Sequence, residues 1–262
     1  VRIAIIPPVS LLETYGPAGD AYHLCLSNEV LKYPDYVNFY RSRSEQGDYV
    51  ILDNSAHEQL QGQSVTQLLL AARGINPSEI VLPDRLFFGD DTLERSAEAY
   101  GILRSEIPTA NLMGVPQGRT VDEWTSCLYG LKFLGVNTIG ISKDYEVWDG
   151  GLLGLVHTVL RCGFNPESIH LLGWGRDLWK LTELAHLVRG VDSAKPIVYA
   201  MGGIQLPEVI TSKNAPTYPK RRSNYFEDGG PYTEEFHKLV RDNIWSFRRA
   251  ANSAYTRNTL SV

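Results

Sequence analysis

At 262 residues, with 43% hydrophobic and 21% charged side chains, the chain is long enough for a large core and of average composition, which excludes collagen-like, coiled-coil and disordered classes. No apolar run approaches the ~18 residues of a spanning helix, and Arg2-Ile3-Ala4-Ile5-Ile6 is too short for a signal-peptide core, so a cytoplasmic protein is expected. The net charge of −5 is uneven: Thr211 to Val262 carries nine Lys or Arg against five Asp or Glu, a net of +4 that leaves −9 elsewhere, which fits either a patch for a polyanion or a solvated surface.

Arg2 to Ile6 reads as a first strand, stopped by Pro7-Pro8. A long loop with Gly16, Pro17 and Gly19 follows, then a helix-like segment from Asp20 to Leu31 and a helix from Asp35 to Gln46. Val50 to Leu52 is the second strand, a short apolar run of the kind that both faces of a parallel sheet bury. Val65 to Ala72 is an amphipathic helix closed by Gly74 and Pro77. Glu79 to Leu82 is the third strand, and Asp90 or Asp91 is expected to cap the helix that runs to Glu106. Asn111 to Val115 is the fourth strand; Thr120 and Glu123 then open a helix as a capping box. The fifth and sixth strands are Asn137 to Ile141 and Ile169 to Leu172, with helices over Gly151 to Arg161 and Asp177 to Arg189. Gly190 to Ser193 and Ile197 to Met201 supply the seventh and eighth strands. Pro207 to Pro231 is loop-like, and Thr233 to Ala251 is a last helix that turns Phe236, Leu239, Val240 and Ile244 inward. Strand offsets of roughly 25 to 33 residues match βα units and favour an α/β TIM-type (β/α)8 barrel with an irregular last unit as an option. On this division residues 1–205 form the catalytic barrel and 206–262 a basic C-terminal loop and helix packed on it.

Polar groups recur at one end of the strands. Asp53, Asn54, Ser55, His57 and Glu58 follow the second, Asp84 the third, Gln117 the fourth, Ser142 and Lys143 the fifth, and Gly173 and Trp174 the sixth. Asp192 stands in the seventh. In a barrel these ends converge on one mouth. One or two of the acids could instead be caps of the following helices. Cys25, Cys127 and Cys162 are isolated in sequence, with no zinc-ribbon spacing and no disulfide framework, and are expected to be buried thiols. No G-x-G-x-x-G or phosphate-loop motif follows a strand. Neither a metal nor a cofactor is therefore expected, and carboxylates without a metal should meet donors on a substrate such as the N–H edge of a heterocycle.

Asp53-Asn54-Ser55-Ala56-His57-Glu58, Pro83-Asp84, Val115-Pro116-Gln117-Gly118, Ile139-Gly140-Ile141 and Gly190-Val191-Asp192-Ser193, in this order, resemble the motif set of guanine transglycosylases. The resemblance covers about Arg2 to Met201. It implies a barrel pentosyltransferase that replaces guanine in a nucleic acid with a 7-deazaguanine through a covalent aspartyl–sugar bond. It further implies Asp192 as nucleophile and Asp53 as acid and base, with Asp84, Gln117 and Gly140 around the base; Ile141, Gly173 and Trp174, from the same strand ends, are expected to complete the pocket. Trp174 is a pocket wall or a stacking platform. Transfer-RNA members carry a cysteine-rich zinc site after the barrel, whereas this chain has no cysteine after Cys162. It is thus more similar to small phage and bacterial members that insert a base such as 7-cyano-7-deazaguanine into DNA, acting in a host cytoplasm when phage-encoded. A zinc-free enzyme for transfer RNA and a non-catalytic base-binding subunit are the alternatives. Gly140-Ile141-Ser142-Lys143 departs from the family's glycine-rich stretch, which leaves the accepted 7-substituent open. Lys220, Arg221 and Arg222, helped by Arg241, Arg248 and Arg249, are the expected phosphate contacts. His57 is expected to support the site through hydrogen bonds, and His170 to be an ordinary strand residue.

Overall fold

Short apolar runs alternate with helices along the chain, and the computed structural model describes residues 1–19, 21–59, 61–174, 178–206 and 221–258. The strands are β1 (Arg2–Ile5), β2 (Tyr22–Leu26), β3 (Tyr49–Asp53), β4 (Glu79–Val81), β5 (Asn111–Gly114), β6 (Thr138–Ser142), β7 (Ile169–Leu172) and β8 (Gly190–Ser193). Around them lie α1 (Leu12–Tyr15), α2 (Ser27–Lys32), α3 (Pro34–Glu45), α4 (Ala56–Gln59), α5 (Val65–Ile75), α6 (Gly89–Glu106), α7 (Val121–Leu134), α8 (Gly151–Arg161), α9 (Leu178–Leu184), α10 (Lys195–Met201) and α11 (Glu234–Asn258).

All ladders are parallel, in the order β1-β8-β7-β6-β5-β4-β3-β2. β1 and β2 lie side by side without a ladder, so the sheet is a nearly closed (β/α)8 barrel of the TIM type. Residues such as Ile51, Leu52, Leu112, Ile139, Ile169 and Val191 are fully buried because helices cover the outside and side chains fill the inside. Cys25, Cys127 and Cys162 are buried free thiols. Among the described residues no helix is long and apolar enough to cross a membrane.

The first and last units differ from the sequence expectation. Tyr22–Leu26 is a strand, not part of a helix, and every one of its residues is buried. The pattern is hard to read because its polar groups are satisfied at long range: His23 Nε2 meets Asp48 Oδ2 at 2.9 Å and Tyr22 Oη meets His170 Nδ1 at 2.8 Å. Ile197–Met201 is helical, not a strand; Pro196 sits in the first turn of α10, where its missing N–H costs no hydrogen bond. β8, over Gly190–Ser193, takes the place next to β1, in register Ala4 with Asp192.

Smaller differences concern helix ends. Phe88, not Asp90 or Asp91, precedes α6, and Asp91 instead binds Arg85 and Arg95 at 2.6 and 2.8 Å. Thr120 Oγ1 accepts from Glu123 N, but the Glu123 carboxylate accepts from Arg119 N rather than closing the box. A complete box forms at Ser64 and Gln67. α5 runs through Gly74 and ends on Asn76 in the left-handed region. α11 packs on α9, α10 and β1, with Val240 and Ile244 buried and Phe236 and Leu239 partly so.

Candidate functional site

Because the strands are parallel, their C-terminal ends open together on a cavity of about 930 Å3. Leu24, Val81 and Val115 form apolar lining, and Asp53, Asp84, Gln117, Gly173, Trp174 and Asp192 all line it. Gly140 and Ile141 do not; they are buried in β6, paired with His170 and Leu171, and β6 contributes Ser142 with Lys143 and Asp144 just beyond it.

Asp84 and Gln117 are held as a unit. Asn54 Nδ2 donates to Asp84 Oδ1 at 2.7 Å and to the Leu82 carbonyl at 2.5 Å, while Gln117 Nε2 donates to Asp84 Oδ2 at 2.5 Å. Gln117 Oε1 accepts from Phe87 N–H at 3.0 Å and from Tyr145 Oη at 2.5 Å. A backbone N–H can only donate, so the amide orientation is settled, and one Nε2 proton remains for a ligand. Burial pushes the Asp84 carboxyl up to about 6, even though the Asn54 and Gln117 donors pull it down. Phe87 adopts a φ of 67°, a conformation that bulky residues rarely take and that here aims its N–H at Gln117.

Asp53 and Asp192 differ in their surroundings. Asp53 Oδ2 accepts from Ser55 N–H at 2.8 Å in a local turn ahead of α4. Burial and then the Glu58 charge, with smaller contributions from Asp192 and Asp84, hold its carboxyl well above the usual range. Asp192 instead accepts from Gly173 N–H at 3.0 Å on both oxygens and lies 3.1 Å from His170 Nε2. Gly173, at φ 67°, presents this N–H in a backbone conformation that L side chains rarely adopt. The Trp174 N–H donates to the Asp192 carbonyl, and its buried indole forms part of the cavity wall.

Cations ring the opening. Lys143, Lys195, Arg221 and Arg222 line the cavity. Arg221 pairs with Glu58 at 2.5 Å, and Lys143 Nζ lies 3.4 Å from His57 Nε2, whose Nδ1 is 3.7 Å from Asp144. His57 thus bridges rim residues. Burial, followed by the nearby charges of Lys143 and Arg221, lowers the Lys195 ammonium. Arg248 is elsewhere, with its guanidinium on the Ala18 carbonyl; Arg249 lies over Trp245, and Arg241 pairs with Glu234. Lys220 lies outside the described residues.

The residues that sequence reasoning left without a role are Asn54, Phe87, Tyr145, His170, Lys143 and Lys195. A histidine inside an apolar strand was the available signal for His170; the others act through loops whose conformations no local pattern specifies. No group of three or more His, Cys, Asp or Glu among the described residues is arranged to hold a metal ion. Comparison of the chain with protein-family models and with curated proteins finds no match in either.

Proposed function

We propose that the protein is a base-exchange transglycosylase that replaces guanine in DNA with a 7-deazaguanine. The observation that carries this reading is the meeting in one cavity of two carboxyl groups in unlike settings: Asp53, which burial and the Glu58 charge shift toward its protonated form, and Asp192, which the Gly173 N–H orients. Two carboxyl groups whose environments differ in this way suit acid and nucleophile roles. Asp192 attacks C1′ as the bond to guanine N9 breaks, and the departing base takes its proton from Asp53. The incoming 7-deazaguanine then loses its N9 proton to Asp53, and N9 displaces Asp192 from C1′. Between the two steps C1′ is held by Asp192, and the phosphodiester backbone of the strand stays intact.

Base recognition follows from the remaining valences. Asp84 has lone pairs left to accept the ring N–H and amino group of guanine, and the spare Gln117 Nε2 proton suits the O6 carbonyl. A cavity of about 930 Å3 has room for an extruded nucleotide. The four rim cations suit its flanking phosphates, and they attach the polymer to a chain of net negative charge.

The test is exchange of labelled guanine, with capture of a denaturation-resistant adduct, on duplex DNA, single-stranded DNA and transfer RNA in parallel. Asp192→Ala should abolish exchange and adduct while DNA binding survives. Exchange by that variant would remove the assignment, and reaction confined to transfer RNA would transfer it to the other polymer.

A further inference from the structure

Beneath Asp192 runs a line of buried polar groups that the chemistry above does not use. Arg189, the residue before β8, donates from Nε to Tyr22 Oη at 3.3 Å. Tyr22 Oη lies 2.8 Å from His170 Nδ1, and His170 Nε2 lies 3.1 Å from Asp192 Oδ1. Tyr22 and His170 are fully buried and Arg189 nearly so. The arrangement has a place made for it: a side chain at Gly190 would bring its Cβ within 2.6 Å of the Tyr22 ring.

The end of the line decides where the protons sit. A guanidinium has donors only, so Tyr22 Oη accepts from Arg189 and has its own proton left to give. The neighbour placed to take it is His170 Nδ1. The opposite arrangement would leave the buried phenol proton without an acceptor and turn the Nε2 lone pair toward a carboxylate, and each fault carries the penalty of an unsatisfied buried polar group.

We propose that Arg189 and Tyr22 hold His170 with Nδ1 as acceptor and Nε2–H as donor, making His170 a positioning residue for the Asp192 nucleophile. With Gly173 N–H it fixes the carboxylate's rotation before attack on C1′. The same two donors stabilise the charge that returns to Asp192 when the incoming base displaces it. This role rests on the transglycosylase reading, but the proton arrangement does not.

His170→Leu removes both ring nitrogens, whereas His170→Gln can return an amide N–H near the position of Nε2. Losing one donor to a charged group should slow adduct formation at saturating DNA about 10- to 100-fold, with DNA affinity unchanged. Gln should recover most of that rate, and Tyr22→Phe should fall between. Nitrogen NMR of the wild-type imidazole should find the Nε2–H form, and in Tyr22→Phe a mixture. Wild-type rates in His170→Leu, no rescue by Gln in a folded variant, or an Nδ1–H form in the wild type would each overturn the proposal. If His170→Leu does not fold, Tyr22→Phe and the NMR form decide. Asp192→Ala separates the two ideas: exchange without Asp192 defeats the functional reading, while the NMR result still judges the proton arrangement.

Discussion

Glu79 begins β4 and Asp84 follows its end, so two buried acids stand at the floor and the mouth of the same barrel. At the floor Glu79 is matched: Arg189 Nη2 donates to it at 2.5 Å and Thr138 Oγ1 donates to its other oxygen. Arg189 also reaches Tyr49 Oη at 3.1 Å, and the Tyr49 and Tyr22 rings stack 5.6 Å apart. At the mouth Asp84 receives only amide donors and Asp53 faces other acids. Complete pairing makes the floor a structural device. Incomplete pairing leaves the mouth with acceptor capacity that a substrate can use, at a cost in stability.

The largest break in this comparison should come at the floor. Arg189→Met leaves Glu79 buried without its cation and should destabilise the protein by about 3 to 5 kcal/mol, whereas adding Glu79→Leu to it should restore much of the loss. Urea denaturation of both variants measures this. Equal instability of single and double variants would mean that packing, not charge, governs the floor.

Asp84→Asn should change stability in a pH-dependent way. The folded carboxyl titrates at about 6 against an ordinary value of 3.8, so the folded state holds its proton more tightly than the unfolded chain. The destabilisation is absent below about pH 4, grows as pH rises toward 6 and is complete above it. Its upper bound is about 3 kcal/mol. The Asn variant lacks this titration, so its stability relative to wild type should rise by up to that amount between about pH 4 and pH 7, from a constant deficit because its NH2 replaces an oxygen that accepts from Asn54 or Gln117. On the transglycosylase reading it should also lose guanine exchange. Denaturation midpoints of both proteins across that range give the slope.

The smallest effects on stability, about 1 kcal/mol, belong to the rim. Arg221→Ala with Arg222→Ala should weaken DNA binding and flatten its salt dependence by up to ~0.9 per lost phosphate contact on a duplex or ~0.7 on a single strand. Adding Lys220→Ala should extend the trend. Arg248→Ala should leave the salt slope alone, since its guanidinium is spent on the Ala18 carbonyl. Titrations at several salt concentrations compare the two. A steeper loss from Arg248 would move the nucleic-acid track from the mouth to α11.

What the amino-acid order determined by itself was local and periodic. Regular spacing of apolar runs predicted the βα repeat, and the abrupt change from apolar to polar at Asp53, Asp84, Gln117 and Gly173 marked the residues that share the cavity. Those features are legible because a strand buried on both faces must be apolar throughout, and its end is the first place a polar group can reach solvent. Tertiary structure alone decided the rest. Tyr22–Leu26 becomes a strand because His23, Tyr22 and Cys25 find partners on other elements, while Ile197–Met201 becomes a helix although its Ile, Val and Tyr favour strands. The basic tail divided in the same manner, Arg221 and Arg222 going to the mouth and Arg248 to a backbone carbonyl, because charge counted along a chain carries no direction in space. His170 looked like one more strand residue; only the closing of the barrel set Tyr22 on one side of its ring and Asp192 on the other.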